Sequence, residues 1–585
     1  MKKNIFLLLS LIILSLVLSG CTSNEQTPNE SVKENESIEV EKEEETPKEP
    51  ELSEEDKQKV LQAEREDLEK IRKDEMGEFY VPLPPLGEDK ELQTVKAKAL
   101  YITGNVAGFK FQEENIDYYA DYINAINGQS GKSADLSRLD EINKLEKVLG
   151  IAKASEINAL VIDIKDDHGY VTWTSELEIV KQVGSNVDVW FDDYKPLMDY
   201  LEQNQIYTIA RIVAFKDPLF AKSKPEHAIQ LKVGGVYLDN NGEAWVNPFN
   251  EYVWNYVIAV SREAALRGFD EIQYDYVRFP DRAAYYNPIT EFPGRNDRDK
   301  DEGIEDFLAL ASKELEPYNV HIAADVFGII THSWDDIPDD IGQTWRKVAN
   351  QVEYICPMIY PSHYGTGVYG YDVPDKHPYE ISRLAVMEAI ERNAAQKDPA
   401  IIRPWFQGFS APWVKGHIKY DAKAISDQMV AAQELGVEEY VIWNASNNYD
   451  PMSFFYQDRI DKTILSNDNV DIMERTPELA LDRFLKAQRS IKYSQLYLLT
   501  PIENREEDYD KFVEDMKKIN PILKSFTVSS INKNEGKGYL AIVDVSYTSD
   551  LGTFNSEIAE YEIIDENGIF KVRAPEIKWE KEISE

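Results

Sequence analysis

From about residue 95 the chain alternates between two hydrophobic textures. Short runs rich in β-branched and aromatic residues are separated by longer stretches whose apolar positions recur at helical spacing. The short runs are "AKALYITGNVAG", "INALVIDIKDDHGYV", "IYTIARIVAFKD", "FDEIQYDYVRFP", "VHIAADVFGI", "VEYICPMIYPSHY", "IIRPWFQGFS" and "EEYVIWNASNNYD". The helical stretches include "WNYVIAVSREAALRG" and "AISDQMVAAQELG", the second ending in a glycine stop. Eight strand–helix units predict an α/β fold, a (β/α)8 TIM barrel over residues 95–462. The competing architecture is an open doubly wound sheet. Its nucleotide-binding version lacks support, because no G-x-G-x-x-G follows the first strand and no P-loop is present.

The flanks have other patterns. Residues 1–20 begin with "MKK", continue as an uncharged apolar run and end "LSG" before Cys21. That order is a secretory signal, and it resembles the bacterial lipoprotein signal. The resemblance implies cleavage before Cys21, lipidation of its thiol and anchoring to the outer face of the cell membrane. The alternative is an uncleaved anchor helix. Residues 21–94 form an acidic tether. Glu, Thr, Pro, Ser and Asn dominate residues 22–50, too little apolar surface to fold. A surface helix is expected over 53–75, and "VPLPPLGEDK" reads as a stiff linker. After residue 470 the order becomes helices and then hairpin-linked strands, a small α+β domain over 470–585 that resembles nuclear-transport-factor-like domains in element order only.

Composition narrows the function. The net charge is −42 over 585 residues, which repels nucleic-acid phosphates and anionic lipid headgroups, so nucleic acid is set aside as a partner. The 33 Tyr and 10 Trp suit stacking of flat, amphipathic ligands such as sugars, besides ordinary packing. Only Cys356 remains after Cys21, so no intrachain disulfide framework exists and Cys356 reads as buried packing. No cofactor is implied.

In a parallel barrel the site lies at the C-terminal strand ends. Polar residues there are Asp163 and Asp166 on the second strand, Arg211 on the third, and Gln273, Asp275 and Arg278 on the fourth. They continue with Asp325 on the fifth, Tyr360 and His363 on the sixth, Trp405 and Gln407 on the seventh, and Trp443 and Asn444 on the eighth. Acids for chemistry, amides for hydroxyls and aromatics for ring faces are the furniture of a carbohydrate site. Period-two alternation turns Asp163, Arg211, Asp275 and Asp325 into the barrel and Tyr274 and Tyr276 outward.

"IQYDYVRFP", "NALVIDIKDDHGYVTW" and "VNPFNEYVWNYV" resemble a family of bacterial glycoside-hydrolase-like barrels once filed as a domain of unknown function. The resemblance covers roughly residues 95–460 and implies a (β/α)8 fold and glycosidase activity on a carbohydrate substrate. The Tyr-Asp at the fourth strand end is similar to the nucleophile position of α-galactosidase-type and α-amylase-type barrels. Glycoside hydrolysis needs one ionised and one protonated carboxyl. Asp275 is the expected nucleophile, held charged by Arg278 or Arg211. Asp325, among apolar neighbours in "AADVFG", is the expected acid/base, with Asp163 and Asp166 in reserve. Adjacent strands lie about 4.8 Å apart, which favours retention. A strand-end Asp can equally cap a loop or pair with an Arg. Two further readings stay open: a glycan-binding lipoprotein without catalysis, and a metal-dependent carbohydrate deacetylase. No H-E-x-x-H or Cys/His zinc spacing supports a metal.

Overall fold

The computed structural model describes residues 53–575, apart from short internal stretches at 88–91, 93, 130, 132–134, 188, 334, 464–468, 520–521, 535–537 and 550–551. The expectations for the export signal, for lipidation of Cys21 and for the tether up to residue 52 lie outside the described residues. A helix, Glu54–Met76, precedes the barrel. Among the described residues no helix is long and apolar enough to cross a membrane.

Eight parallel strands close into a barrel: β1 (Lys98–Ile102), β2 (Ala159–Lys165), β3 (Tyr207–Val213), β4 (Glu271–Asp275), β5 (His321–Phe327), β6 (Tyr354–Ile359), β7 (Trp405–Gln407) and β8 (Tyr440–Trp443). Each pairs in parallel with the next, and β8 pairs back onto β1 with Lys98 opposite Tyr440. The seventh segment is broken. Ile401–Ile402 pairs first, and Pro404, which has no N–H to donate, separates it from Trp405. Helices such as Glu251–Leu266, Lys300–Leu315, Pro378–Asn393 and Ala422–Gln433 connect the strands.

Every residue of β2, β3 and β4 is buried. One face meets the helices and the other fills the barrel. Ala99, Val161, Ile209, Ala323, Cys356 and Val441 form an apolar inner cluster with Tyr101, Tyr360 and Trp405. Arg403 lies at the N-terminal end of the barrel, wholly buried. It donates Nη1 to Glu271 at 2.6 Å and Nε to Glu439 at 2.8 Å, with its guanidinium carbon 3.7 Å from the Tyr354 ring centroid. The two carboxylates and the ring compensate a charge that would be costly alone.

Beyond the barrel, helices Pro477–Ser490, Tyr493–Leu499 and Tyr509–Ile519 precede an antiparallel sheet of β9 (Ile522–Lys533), β10 (Gly538–Ser549), β11 (Gly552–Glu566) and β12 (Ile569–Arg573). Leu481, Phe484 and Leu485 pack there with Val543, Tyr561 and Val572. This sheet domain is tied to the barrel through Glu391 of helix Pro378–Asn393, which accepts Arg475 Nη1 at 2.6 Å and faces Arg483 Nη2 at 3.5 Å.

Candidate active site

The site is assembled by strand register. Asp163 of β2 lies opposite Arg211 of β3, Arg211 opposite Gln273 of β4, and Val213 opposite Asp275. Positions two apart share a face, so Arg211, Gln273 and Asp275 all point inward. Arg211 joins the two acids. Its Nε and Nη2 donate to Oδ2 of Asp275 at 3.0 and 2.5 Å, and its Nη1 donates to Oδ1 of Asp163 at 2.5 Å. The Tyr101 hydroxyl donates to the other oxygen of Asp163. Burial lifts the Asp163 carboxyl above the usual range, against the pull of Arg211 and the Tyr101 hydroxyl.

β4 stops at Asp275, and the next residue is the reason. Tyr276 adopts a left-handed backbone, φ 48°, and its N–H donates to Oδ1 of Asp275 at 2.5 Å. A side chain other than glycine in that region costs roughly 1–2 kcal/mol. The turn also breaks the period-two alternation. Tyr274 packs outward as expected, its hydroxyl 2.9 Å from Ser261 Oγ. Tyr276, expected outward as well, lines the cavity instead.

A second correction concerns the cation. Past the turn the chain leads Arg278 away from Asp275. Arg278 donates Nη1 to the Phe279 carbonyl at 2.8 Å and to Asp281 Oδ1 at 2.9 Å, and its guanidinium carbon lies 4.3 Å from the Phe327 ring centroid. Arg211, not Arg278, is the partner of Asp275.

Asp325 occupies the next inward position on β5, one residue past the Tyr274–Ala324 pair. Its exposure is 0%. Oδ1 accepts Gln273 Nε2 and Trp405 Nε1, both at 2.7 Å, while buried Oδ2 has no protein partner. Burial, and then the negative charge of Asp275, push this carboxyl well above the usual range, which favours its protonated form. It sits behind the cavity wall, not in it.

The cavity, about 360 Å³, opens at the C-terminal strand ends. It brings together Asp275, Arg211, Arg278, Tyr360, His363, Trp405 and Trp443 of the residues expected from sequence. Tyr360 stacks on Trp443 with centroids 5.6 Å apart, and burial lowers the His363 pKa. The other expected residues make protein contacts outside the wall. Asp163 lies behind Arg211, and Gln273 is bound to Asp325. Asp166 accepts the N–H groups of His168 and Tyr170 in its own turn. Gln407 ties Asp375, Phe409 and Ser362 together. Asn444 donates to the carbonyls of Gly408 and Asn448.

The wall residues that sequence reasoning missed include Asp281, Phe327, Met358 and Tyr364. Extending the alternation two residues past Asp325 and Cys356 finds Phe327 and Met358. Asp281 directly follows the "VRFP" block. Among the described residues no group of three or more His, Cys, Asp and Glu side chains is arranged to hold a metal ion.

Solved structures similar to this chain include three of differing kind. A hypothetical protein from Ruminiclostridium thermocellum ATCC 27405 is 33% identical over 39% of this chain and 97% of its own, with a TM-score of 0.29. The PgaB (BpsB) glycoside hydrolase domain from Bordetella bronchiseptica is 12% identical over 63% and 97%, with a TM-score of 0.39. A beta-galactosidase from the psychrophilic Marinomonas ef1 is 8% identical over 82% and 89%, with a TM-score of 0.42. No curated protein matches the sequence. Residues 136–449, which carry β2 to β8 and every residue of the cavity wall, match the family described as "Putative glycosyl hydrolase domain", and the chain belongs to that family.

Proposed function

We propose that this glycosyl hydrolase cleaves an oligosaccharide or polysaccharide at the barrel mouth, with Asp275 as nucleophile and a retaining, two-step course. The observation that carries this reading is the double hold of Arg211 on Oδ2 of Asp275, which fixes the carboxyl group in a cavity walled by Tyr360, Trp405 and Trp443. Asp275 is only 5% exposed, which favours direct attack on the sugar over attack through an intervening water.

The second carboxyl in the wall is Asp281, and we assign it proton donation to the leaving glycosidic oxygen and then proton removal from the water that hydrolyses the glycosyl-enzyme. Asp325 then acts as a positioning residue. Its environment disfavours a second anion beside Asp275, and its contacts with Gln273 and Trp405 fix the cavity floor. The same reading includes export and anchoring through lipidated Cys21, which rests on residues 1–21 of the sequence.

Asp275→Asn and Asp281→Asn separate the roles. The first should abolish turnover of every glycoside. The second should abolish turnover of unactivated glycosides while 2,4-dinitrophenyl glycosides, whose leaving group needs no proton, are still cleaved, with azide restoring the second step. NMR of the first-formed anomer tests retention. Turnover that survives Asp275→Asn would sink the assignment. Binding of glycans without any turnover in the wild type would favour the non-catalytic reading.

A further inference from the structure

Trp413 is 67% exposed, on the loop that follows β7. It is not on a loose segment. Asp375, wholly buried, accepts Gln407 Nε2 on Oδ1 and the Ile418 N–H on Oδ2, both at 3.0 Å, and its carbonyl accepts the Tyr420 hydroxyl at 3.1 Å. The Val414 N–H donates to the carbonyl of buried Ala411 at 2.9 Å. The loop is therefore pinned on both sides of an indole left facing water. A large aromatic surface held out in this way gains nothing for folding.

The indole is continuous with the cavity. Phe409 stands edge-on to the wall residue Trp443, centroids 5.1 Å apart at 87°, and lies nearly parallel to Trp413, 5.9 Å apart at 20°. His363, also in the wall, meets the edge of Phe409 at 6.4 Å. Tyr360, Trp443, Phe409 and Trp413 thus form an aromatic path from the cavity to the rim. A second cavity of about 330 Å³ shares the wall residues Asp281, Phe327 and Ile329 with the first.

We propose that Phe409 and Trp413 form an outlying sugar-binding subsite, so that the ligand is a chain of several linked sugars leaving the cavity across this loop. A pyranose is apolar on its faces and polar round its edge, the complement of an exposed indole flanked by solvent. The inference deepens the hydrolase reading and rests on it for the position of the cleaved bond.

The test is affinity electrophoresis of Asp275→Asn, which leaves glycans intact, in native gels containing glycol chitin, hydroxyethyl cellulose, xylan or pullulan. Retardation in at least one gel is expected, weakened about tenfold in dissociation constant by adding Trp413→Ala and largely restored by Trp413→Phe. Equal retardation with and without Trp413, or retardation in none of the gels, overturns the subsite. So does loss of co-sedimentation with phosphatidylglycerol–phosphatidylethanolamine vesicles on Trp413→Ala at unchanged gel mobility, which would make the indole a membrane contact. Wild-type turnover of the retarding glycan is measured in parallel. Trp413-dependent binding without turnover keeps the subsite and removes the hydrolase reading. Asp275-dependent turnover indifferent to Trp413 does the reverse.

Discussion

Arg211 grips Asp275 through two nitrogens on one carboxylate oxygen, and the other oxygen is left to the backbone N–H of Tyr276. The third guanidinium nitrogen holds Asp163, so one planar cation serves two buried acids. A planar fork can do this and a point charge cannot. Arg211→Lys should therefore keep the charge yet lower kcat by roughly 10- to 100-fold, read in a reducing-sugar assay. Arg211→Met should cost about 3–5 kcal/mol in urea unfolding, because it strands two buried carboxyls. A fully active lysine variant would refute the fork.

Asp325 sets a pH dependence of stability. Its folded carboxyl titrates well above the ordinary value of 3.8. As pH rises above that value the unfolded chain releases a proton that the folded chain retains, so wild-type stability falls with rising pH across that window. Asp325→Asn has no proton to lose, and its amide oxygen can still accept from Gln273 and Trp405. The melting temperature of the variant relative to wild type should therefore rise as pH increases above 3.8, until the folded carboxyl itself ionises. A difference independent of pH would contradict the protonated assignment.

Glu391 behaves in the opposite sense. Burial alone would raise its pKa, but Arg475, Arg483 and Lys571 bring it from 4.5 down to about 2. Its stabilisation is complete above pH 4.5 and is lost as pH falls toward 2. Arg475→Met should cost about 3–5 kcal/mol at neutral pH. The gap to wild type should narrow across that acidic window in a pH series of denaturant unfolding. A constant gap would show that Arg475 acts through packing alone.

Gly328 lies in the cavity wall where a Cβ would come within 2.6 Å of both the Met358 carbonyl oxygen and the Tyr364 hydroxyl. The carbonyl belongs to β6 and has little freedom to retreat. Gly328→Ala should destabilise by about 1–3 kcal/mol and lower kcat/KM by displacing the neighbouring wall. Thermal melting and steady-state kinetics measure the two effects. A neutral result in both would mean the wall yields.

The barrel was legible because parallel strands buried on both faces read as short apolar runs between helical stretches. Alternation then turned Asp163, Arg211, Gln273, Asp275 and Asp325 inward, as found. It misled at Tyr276, where a left-handed residue ends the period, and of the two neighbouring cations expected beside Asp275 only Arg211 is there, Arg278 pairing with Asp281. The sealing of Asp325 was also hidden, because it depends on Trp405, which is 80 residues away along the chain. Trp413 went unread since its meaning lies in a ring contact with Phe409 and in the pinning by Asp375, neither visible in a linear pattern.

The left-handed backbone at Tyr276 also bears on how this barrel can diversify. It divides the chain into a strand that fixes the acid and a loop that shapes the mouth. Lengthening β4 by one residue would swing Asp275 toward the helices and abolish the site. Insertions beyond Tyr276 leave the carboxylate where it is. New specificities can therefore be explored in the loop without the chemistry being rebuilt each time.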